Sequence, residues 1–404
     1  MEAADFVLEE AFDKLINEAE LKRKLALGRP LRVKLGIDPT ASDIHLGFAV
    51  VLRKLRQFQE HGHTAVLILG DATAQIGDPS GRSATRPRLT KAQVDEYAAT
   101  YVDQLRQILL PAPLEIRRNS EWLATMDIED VLRLTARTTV ARMLERDDFA
   151  TRYRDGTPIS VMEFLYPLLQ GWDSVMVEAD VELGGSDQLW NFLMARQLQE
   201  QEGQTPQVVL TMPLLVGLDG VKKMSKSLGN YVGIAEAPGE QFGKLMSLPD
   251  ELMGHYYELA TAWPLERAQQ VTAEVASGVL RPVDAKRLLA RTVVELYHGP
   301  GSGDAAEAEF DRVFRSHDVP SDVPELPIDP SELRDGRIRL ARVLALAFPA
   351  AVPSNKEGRR KIEQRGVKLD DVVVDDPDAE LAATELDGRL LQLGRRNWAR
   401  IRSV

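Results

Sequence analysis

The sequence predicts an α/β fold built on a doubly wound parallel sheet. Residues 31–37 alternate as a half-buried strand does, residues 45–57 follow with helical periodicity, and residues 64–69 form a continuous apolar run. A strand, a helix and a second strand buried on both faces imply a parallel pair joined by a crossover helix. The strand pattern returns at residues 208–212, so we expect the sheet to continue there.

Helical periodicity dominates the rest of the first domain, which we predict to span residues 1–232. Apolar residues recur at helical spacing among charges over residues 6–25, so we expect a helix before the first strand. The segment from about residue 85 to 160 has the same character. We interpret it as an inserted helical region within the doubly wound fold.

Strand character disappears after residue 233, and three further segments are predicted. Residues 233–316 contain consecutive amphipathic helices and form a helical domain. Residues 317–336 begin with four prolines and several acids over 317–330, which predicts a linker. Residues 337–404 then form a small α+β module.

Composition limits the classes of function. The chain has 404 residues, no cysteine and a formal net charge of −12. Without cysteine, a disulfide framework or a cysteine-rich zinc site is excluded, and we predict no protein-bound metal. The acidic balance disfavours broad binding to nucleic acid, so any RNA contact must come from local patches. No segment resembles a signal peptide or a membrane span, which predicts a cytoplasmic protein with no membrane partner.

A His-x-Gly motif follows the first strand. His45, Leu46 and Gly47 begin a helix, where free backbone N–H groups and the positive end of the helix dipole favour a phosphate. Histidine can hydrogen-bond that phosphate, and glycine permits close approach of a nucleotide. The alternative interpretation is an ordinary helix-capping turn.

A second motif, Lys222-Lys-Met-Ser-Lys-Ser-Leu-Gly-Asn230, lies in a loop after the predicted strand at residues 208–212. A solvated basic loop would explain its lysines but not their combination with His45. A leaving pyrophosphate carries several negative charges and needs cations directed at its oxygens. We therefore predict that His45, Lys223 and Lys226 act together on a polyphosphate.

A polar face is predicted on a leucine-rich helix later in the domain. Tyr166, Gln170 and Asp173 are spaced so that all three side chains point from one side of the helix. An aromatic group, an amide and a carboxylate in this arrangement suit a pocket for a small polar ligand. A satisfied polar cluster in the core remains the alternative.

Together these motifs resemble class I aminoacyl-tRNA synthetases, and more closely the bacterial tyrosyl-tRNA synthetases. The resemblance covers nearly the whole chain and includes residues 36–40, 76–81, 119–122, 166–173 and 184–188. It implies a nucleotide-binding catalytic domain with ATP as substrate, accompanied by Mg²⁺, and with tyrosine and tRNA(Tyr) as partners. It also implies a homodimer, whose contact we place in the inserted region, and a helical domain that approaches the anticodon stem.

The resemblance assigns roles to residues at the matching motif positions. Asp173 would accept the hydrogen bond of the tyrosine hydroxyl, and Tyr166 and Gln170 with Asp78 would hold the amino group. Gly36 and Gln188 are further tyrosine-binding residues. Thr40 would assist at the phosphate. The ATP-binding set is Asp38, His45, Gly47, Gly185, Asp187, Lys223, Ser225 and Lys226. Because Asp38 and Asp78 precede prolines, each also suits a plain turn.

Two positions depart from the family pattern. Lys34 stands where one subgroup has a tyrosine that reaches the substrate hydroxyl, which places the chain in the other bacterial subgroup. Phe48 occupies the fourth position of the first signature and cannot supply a polar contact near the ribose. Losing one such contact costs about 1 to 3 kcal/mol of transition-state stabilisation if nothing compensates.

Clustered cations near the end of the chain predict contact with RNA phosphates. A short predicted helix carries Lys356, Arg359, Arg360 and Lys361, and the last segment adds Arg395 and Arg396. A merely solvated charged face is the alternative. The module resembles the RNA-binding fold first described in a small-subunit ribosomal protein.

We therefore predict a tyrosine-tRNA ligase that forms tyrosyl-adenylate and transfers the tyrosyl group to tRNA. A tryptophanyl-tRNA synthetase on the same scaffold is disfavoured by Asp173 and by the C-terminal module. Another nucleotidylyltransferase is disfavoured by the lysine motif. A catalytically impaired RNA-binding paralogue is the remaining alternative, because of Phe48.

Overall fold

A computed structural model of the chain describes residues 7, 12–39, 43–79, 89–314, 323–394 and 397–403. The chain forms two compact units, Met1–Ala306 and Glu307–Val404. Within the described ranges, no helix has both the length and the apolar character needed to cross a bilayer.

A six-stranded sheet forms the centre of the first unit. Its strands are β1 (Lys14–Ile16), β2 (Arg32–Ile37), β3 (Thr64–Leu69), β4 (Leu114–Arg118), β5 (Val181–Gly185) and β6 (Val208–Met212). The order across the sheet is β1-β6-β5-β2-β3-β4. Strands β2 to β6 are parallel, and β1 is antiparallel to β6. The strand order reverses between β2 and β5, the place where doubly wound sheets bind ligands.

Helices cover the sheet and continue beyond it along the chain. Those between and beside the strands are α1 (Glu18–Leu25), α2 (Leu46–Glu60), α3 (Lys91–Leu105), α4 (Ser120–Leu123), α5 (Ile128–Thr135), α6 (Val140–Met143), α7 (Asp147–Arg154), α8 (Val161–Met176) and α9 (Leu189–Gln201). The predicted helical domain contains α10 (Pro238–Met246), α11 (Met253–Ala260), α12 (Leu265–Ala276), α13 (Pro282–His298) and α14 (Ser302–Phe314). The predicted parallel α/β fold and the succession of amphipathic helices are thus confirmed.

The predicted continuous helix over residues 6–25 is wrong. Val7 is helical, but β1 pairs along the edge of β6 before α1 begins. Asn17 turns the chain between them with a φ of 77°, and its side chain accepts a hydrogen bond from the Glu20 N–H at the start of α1. The free edge of β6 is the physical reason, because a buried strand must have its backbone groups paired.

The predicted insertion from about residue 85 to 160 contains a strand of the central sheet. β4 pairs in parallel with β3 and forms one edge of the sheet. Its side chains are only partly buried, as expected for an edge, so its sequence lacks the apolar run that marked β3. The segment after β4 is helical, as expected.

The strands of the second unit are β7 (Glu325–Ile328), β8 (Arg337–Arg339), β9 (Val367–Leu369), β10 (Val372–Val373), β11 (Glu380–Ala382), β12 (Leu390–Leu393) and β13 (Asn397–Ser403). They form a five-stranded sheet in the order β10-β9-β12-β13-β7 and a separate two-stranded pair of β8 and β11. Its helices are α15 (Leu340–Ala347), α16 (Asn355–Glu363) and α17 (Ala383–Leu386). The predicted α+β character is therefore observed.

The structure differs from the predicted linker over residues 317–336. β7 lies inside that segment and pairs in parallel with β13, and Ile328 is buried in the core of the unit. Because β7 pairs with a strand at the far end of the chain, its local sequence gives no sign of that pairing. The prolines and acidic residues therefore led to the prediction of a linker. The unit boundary after Ala306 also falls within α14, earlier than the predicted boundary at residue 316.

Candidate active site

A cavity of about 500 Å³ opens at the carboxyl ends of β2, β5 and β6. It brings together every described residue that the sequence assigned to ATP or tyrosine. These residues are Gly36, Asp38, His45, Gly47, Asp78, Tyr166, Gln170, Asp173, Gly185, Asp187, Gln188, Lys223, Ser225 and Lys226. Thr40 lies outside the described residues.

His45 is the N-cap residue of α2, but its side chain does not cap the helix. Within the described chain its side chain makes no capping hydrogen bond, and its buried Nδ1 has no hydrogen-bond partner. Burial, and to a smaller extent the charge of Lys223, lowers the pKa of His45 to about 4. The imidazole is therefore neutral at pH 7 and can donate one N–H to a ligand. A Cβ at Gly47 would lie 3.1 Å from His45 Nδ1, so glycine leaves room for this ring.

Backbone hydrogen bonds hold the two motifs side by side. The Leu46 N–H donates to the Val232 carbonyl at 2.9 Å, and the Ile234 N–H donates to the Ile44 carbonyl at 2.9 Å. The residues that follow the lysine loop are thereby attached to the start of α2. Phe48 lines the cavity and packs against His45 with ring centroids 5.0 Å apart.

Carboxylates hold the two motif lysines at the mouth of the cavity. Lys223 Nζ lies 2.7 Å from Asp187 Oδ2, and Lys226 forms an ion pair with Asp43. Both lysine side chains remain partly exposed. A polyphosphate can compete for such ammonium groups because exposed ion pairs are weak.

The predicted polar face of α8 lines the cavity, and its side chains form hydrogen bonds with other polar residues there. The Tyr166 hydroxyl donates to Asp38 Oδ2 at 3.0 Å. Gln170 Nε2 donates to Gln188 Oε1 at 3.3 Å, and Gln188 Nε2 donates to Asp78 Oδ2 at 2.8 Å. The side chains assigned to an amino group thus all line the cavity.

Asp173 is buried at the cavity wall, with only 4% of its surface exposed. Trp122 Nε1 donates to its Oδ1 at 2.8 Å, and Asn119 Nδ2 donates to its Oδ2 at 3.3 Å. Burial raises the pKa of Asp173 to about 7, although the charge of Lys34 and these two hydrogen bonds oppose the rise. A phenolic hydroxyl would find an acceptor here whose position is fixed by two donors.

Lys34 is fully buried and directs its ammonium group to atoms of α8 and β5. Its Nζ lies 2.7 Å from Glu182 Oε1, 2.7 Å from Ser174 Oγ and 3.0 Å from the Gln170 carbonyl oxygen. The sequence had questioned a direct contact of residue 34 with the substrate hydroxyl. The geometry agrees, because this lysine supports the helix that carries Gln170 and Asp173.

We expect Asp38→Asn to stabilise the protein at pH 8 and to lose this advantage on acidification. Burial raises the pKa of Asp38 from an ordinary 3.8 to about 7. The folded wild type is therefore penalised for ionisation above pH 7, and the penalty vanishes as the pH falls towards the unfolded pKa. An asparagine can still bond the hydroxyls of Thr73 and Tyr166, which now contact Asp38.

Urea unfolding at several pH values measures this difference. The variant should exceed the wild type by about 1 to 4 kcal/mol at pH 8, and the two should converge near pH 4. A difference that does not change with pH would contradict a raised pKa of the Asp38 carboxyl in the folded protein.

The C-terminal cations assigned to RNA lie on α16 in the second unit. Arg359 pairs with Asp378, and Arg360 and Lys361 both approach Glu357. Lys356 is exposed on the same helix. Arg395 and Arg396 lie outside the described residues. The acidic neighbours reduce the net charge of this surface, so RNA binding stays a prediction.

Sequence reasoning missed several side chains that complete the site. Thr73 and Asn119 each follow a strand, β3 and β4, at the edge of the sheet where ligands bind. That rule could have identified both residues. Asn119 and Trp122 both lie in residues 119–122, which were part of the family resemblance, but neither had an assigned role. Asp43 and Asn191 carried no signal, because only the tertiary fold brings them to the lysine loop and to Gln170.

A family model described as tRNA synthetases class I (W and Y) matches residues 26–315 of the chain. The chain belongs to this family. The match includes β2 to β6, the lysine loop and α10 to α13, so the cavity lies wholly within the part that the family shares.

Curated relatives of this class I synthetase match along almost its whole length. The tyrosine–tRNA ligase of Moorella thermoacetica is 54% identical over 384 residues, which are 95% of this chain and 91% of that protein. The tyrosine–tRNA ligase 2 of Vibrio parahaemolyticus is 49% identical over 401 residues, which are 99% of this chain and 98% of that protein. The relatives therefore include the C-terminal module.

A solved structure supports the fold of this synthetase. The tyrosyl-tRNA synthetase of Archaeoglobus fulgidus, crystallised with L-tyrosine, superposes with a TM-score of 0.62 at 23% identity. The superposition covers 76% of this chain and 98% of the archaeal one. At this identity the comparison concerns the fold alone.

Proposed function

We propose that this class I synthetase is a tyrosine-tRNA ligase. The observation that carries the proposal is Asp173, a buried acceptor fixed by Trp122 and Asn119 on the wall of the nucleotide cavity. A phenol can donate a hydrogen bond to this carboxylate, whereas a phenyl group cannot. The curated relatives, which are about 50% identical over nearly the full length, are named as tyrosine–tRNA ligases.

In the first step, a carboxylate oxygen of tyrosine attacks the α-phosphorus of ATP. The bond from that phosphorus to the bridging oxygen breaks, and pyrophosphate leaves with its Mg²⁺. Lys223 and Lys226 exchange their carboxylate partners for phosphate oxygens and neutralise the charge that develops. The imidazole of His45 is neutral, so it stabilises the phosphate by donating a hydrogen bond and not by a positive charge.

Positioning accounts for the rest of the step. Asp78, Tyr166 and Gln170 hold the tyrosine ammonium group, and Asp173 holds its hydroxyl, so the carboxylate is directed to the nucleotide side of the cavity. Gly185 leaves room for the side chain of Asp187, since a Cβ there would lie 2.8 Å from Asp187 Oδ1. Asp38 and Ser225 complete the nucleotide side.

In the second step, a hydroxyl of the 3′-terminal ribose of tRNA attacks the tyrosyl carbonyl and AMP leaves. We propose that α16 of the C-terminal unit binds RNA phosphates through Lys356 and Arg360, as the clustered cations suggest. The cytoplasmic location expected from the sequence stays a prediction.

We also propose that the chain forms a homodimer through the segment between β4 and β5. This segment exposes large apolar side chains that solvent would not favour. They are Ile128, Leu132, Val140, Tyr153, Val161 and Met176, each at least 44% exposed. Sedimentation equilibrium tests the dimer, and a monomer at micromolar concentration would contradict it.

Amino-acid-dependent exchange of pyrophosphate into ATP tests the activity. We expect exchange with tyrosine and none above background with tryptophan or phenylalanine. Exchange with tryptophan alone would overturn the proposal. If none of the three amino acids supports exchange, the result would instead favour the catalytically impaired paralogue.

A further inference from the structure

Arg146 makes a buried ion pair outside the cavity lining. It directly precedes α7, and only 6% of its side chain is exposed. Its Nε lies 2.7 Å from Asp148 Oδ1, and its Nη2 donates to Asp148 Oδ2 at 3.0 Å. The pair thus combines a close ion-pair contact at Oδ1 with one charge-assisted hydrogen bond at Oδ2.

The same guanidinium reaches the residues proposed to hold the tyrosine ammonium group. Arg146 Nη1 donates to Asn191 Oδ1 at 3.0 Å, and Asn191 Nδ2 donates to Gln170 Oε1 at 2.8 Å. Arg146 Nη2 also lies 3.9 Å from Asp78 Oδ1. Two carboxylates, Asp148 and Asp78, therefore lie within ion-pairing distance of one buried cation.

Only one of these two carboxylates faces the cavity. Asp78 lines it, and its other oxygen accepts a hydrogen bond from Gln188. A cation that paired fully with Asp78 would cancel the charge that attracts a substrate ammonium group. An uncompensated guanidinium this close would also repel that group, because buried charges are poorly screened.

We propose that Asp148 holds Arg146 in a neutral pair, so that Arg146 orients Asn191 and Gln170 while Asp78 keeps its charge for the amino group of the substrate. The inference rests on the proposed tyrosine site. Arg146 and Asp148 are positioning residues, because they act through Asn191, Gln170 and Asp78.

Replacing Asp148 tests the neutral pair. In Asp148→Asn the guanidinium loses its nearest carboxylate and pairs with Asp78 instead. We expect binding of tyramine, which has the ammonium group, to weaken about tenfold, since a tenfold change corresponds to about 1.4 kcal/mol. Binding of 3-(4-hydroxyphenyl)propanoate, which lacks the amine, should not weaken. In exchange assays the KM for tyrosine rises while the KM for ATP stays within twofold.

A matched control and a rescue distinguish this role from a loss of structure. Asp147→Asn removes the same charge from the adjacent, exposed residue of α7 and should leave tyramine binding unchanged. In the double variant Asp148→Asn with Arg146→Gln, the uncompensated cation is gone. Tyramine binding should return to within about threefold of wild type.

The proposal is overturned if Asp148→Asn binds tyramine and 3-(4-hydroxyphenyl)propanoate as tightly as the wild type does. It is overturned too if the variant loses the same factor of affinity for both ligands. It is also overturned if the double variant binds tyramine no better than Asp148→Asn alone. Failure of the proposed function has a different signature, because the wild type would then show no tyrosine-dependent exchange. An active wild type with an unaffected Asp148→Asn variant would reject the neutral pair alone.

Discussion

Replacing Lys223 and Lys226 together with glutamine should lower the kcat of tyrosine-dependent exchange by at least about 10³-fold. Both ammonium groups lie at the mouth of the cavity, where each forms an ion pair with a carboxylate. Their charge is needed mainly when pyrophosphate departs, so the loss should fall on kcat more than on the KM for tyrosine.

Lys222→Gln provides the control for this pair. Lys222 lies in the same loop and is exposed, and it is not among the residues that line the cavity. Its replacement removes one positive charge from the loop and should change kcat less than twofold. Retention of exchange within tenfold of wild type in the double glutamine variant would contradict the role proposed for the lysines.

Asp173→Asn should sharply reduce discrimination between tyrosine and phenylalanine. Tyrosyl-tRNA synthetases prefer tyrosine to phenylalanine by a factor of about 10⁵, and we take this factor as the selectivity of the wild type. The asparagine amide carries no charge and has one acceptor oxygen, whereas the carboxylate has two. In the wild type, Trp122 and Asn119 both donate hydrogen bonds to this side chain. Losing a charge-assisted hydrogen bond costs about 1.5 to 3 kcal/mol, so selectivity should fall below about 10⁴.

The ratio of kcat/KM for the two amino acids measures this effect. Asp180→Asn is a matched control, since Asp180 is also buried but pairs with Arg29 outside the cavity. That variant should lose stability and keep its selectivity. A selectivity near 10⁵ in Asp173→Asn would mean that another group recognises the hydroxyl.

The sequence was most informative where local pattern and chemistry coincide. The apolar run of β3, the helical spacing of Tyr166, Gln170 and Asp173, and the two phosphate motifs each depend on neighbouring residues. Periodicity places the side chains of one segment on the same face of their helix or strand. The parallel sheet then brings the carboxyl ends of its strands together on one side. The cavity therefore contains the described candidates for ATP and tyrosine.

The elements that sequence reasoning misplaced are held by partners far along the chain. β7 pairs with β13, and β4 lies at an edge where half-exposed side chains give no apolar run. The supporting groups of the site were hidden for the same reason. Arg146 and Asn191 are 45 positions apart, and nothing in either local sequence indicates their hydrogen bond.

The antiparallel strand β1 has a consequence for the order in which the chain folds. Lys14 pairs with Thr211, so this edge of the sheet waits until nearly 200 further residues have been synthesised. Until then β6 is missing, and the first strand has no partner. The emerging chain therefore cannot complete its sheet before the strand that leads into the lysine loop arrives. Closure of this edge and assembly of the phosphate-binding loop should be late events that occur together.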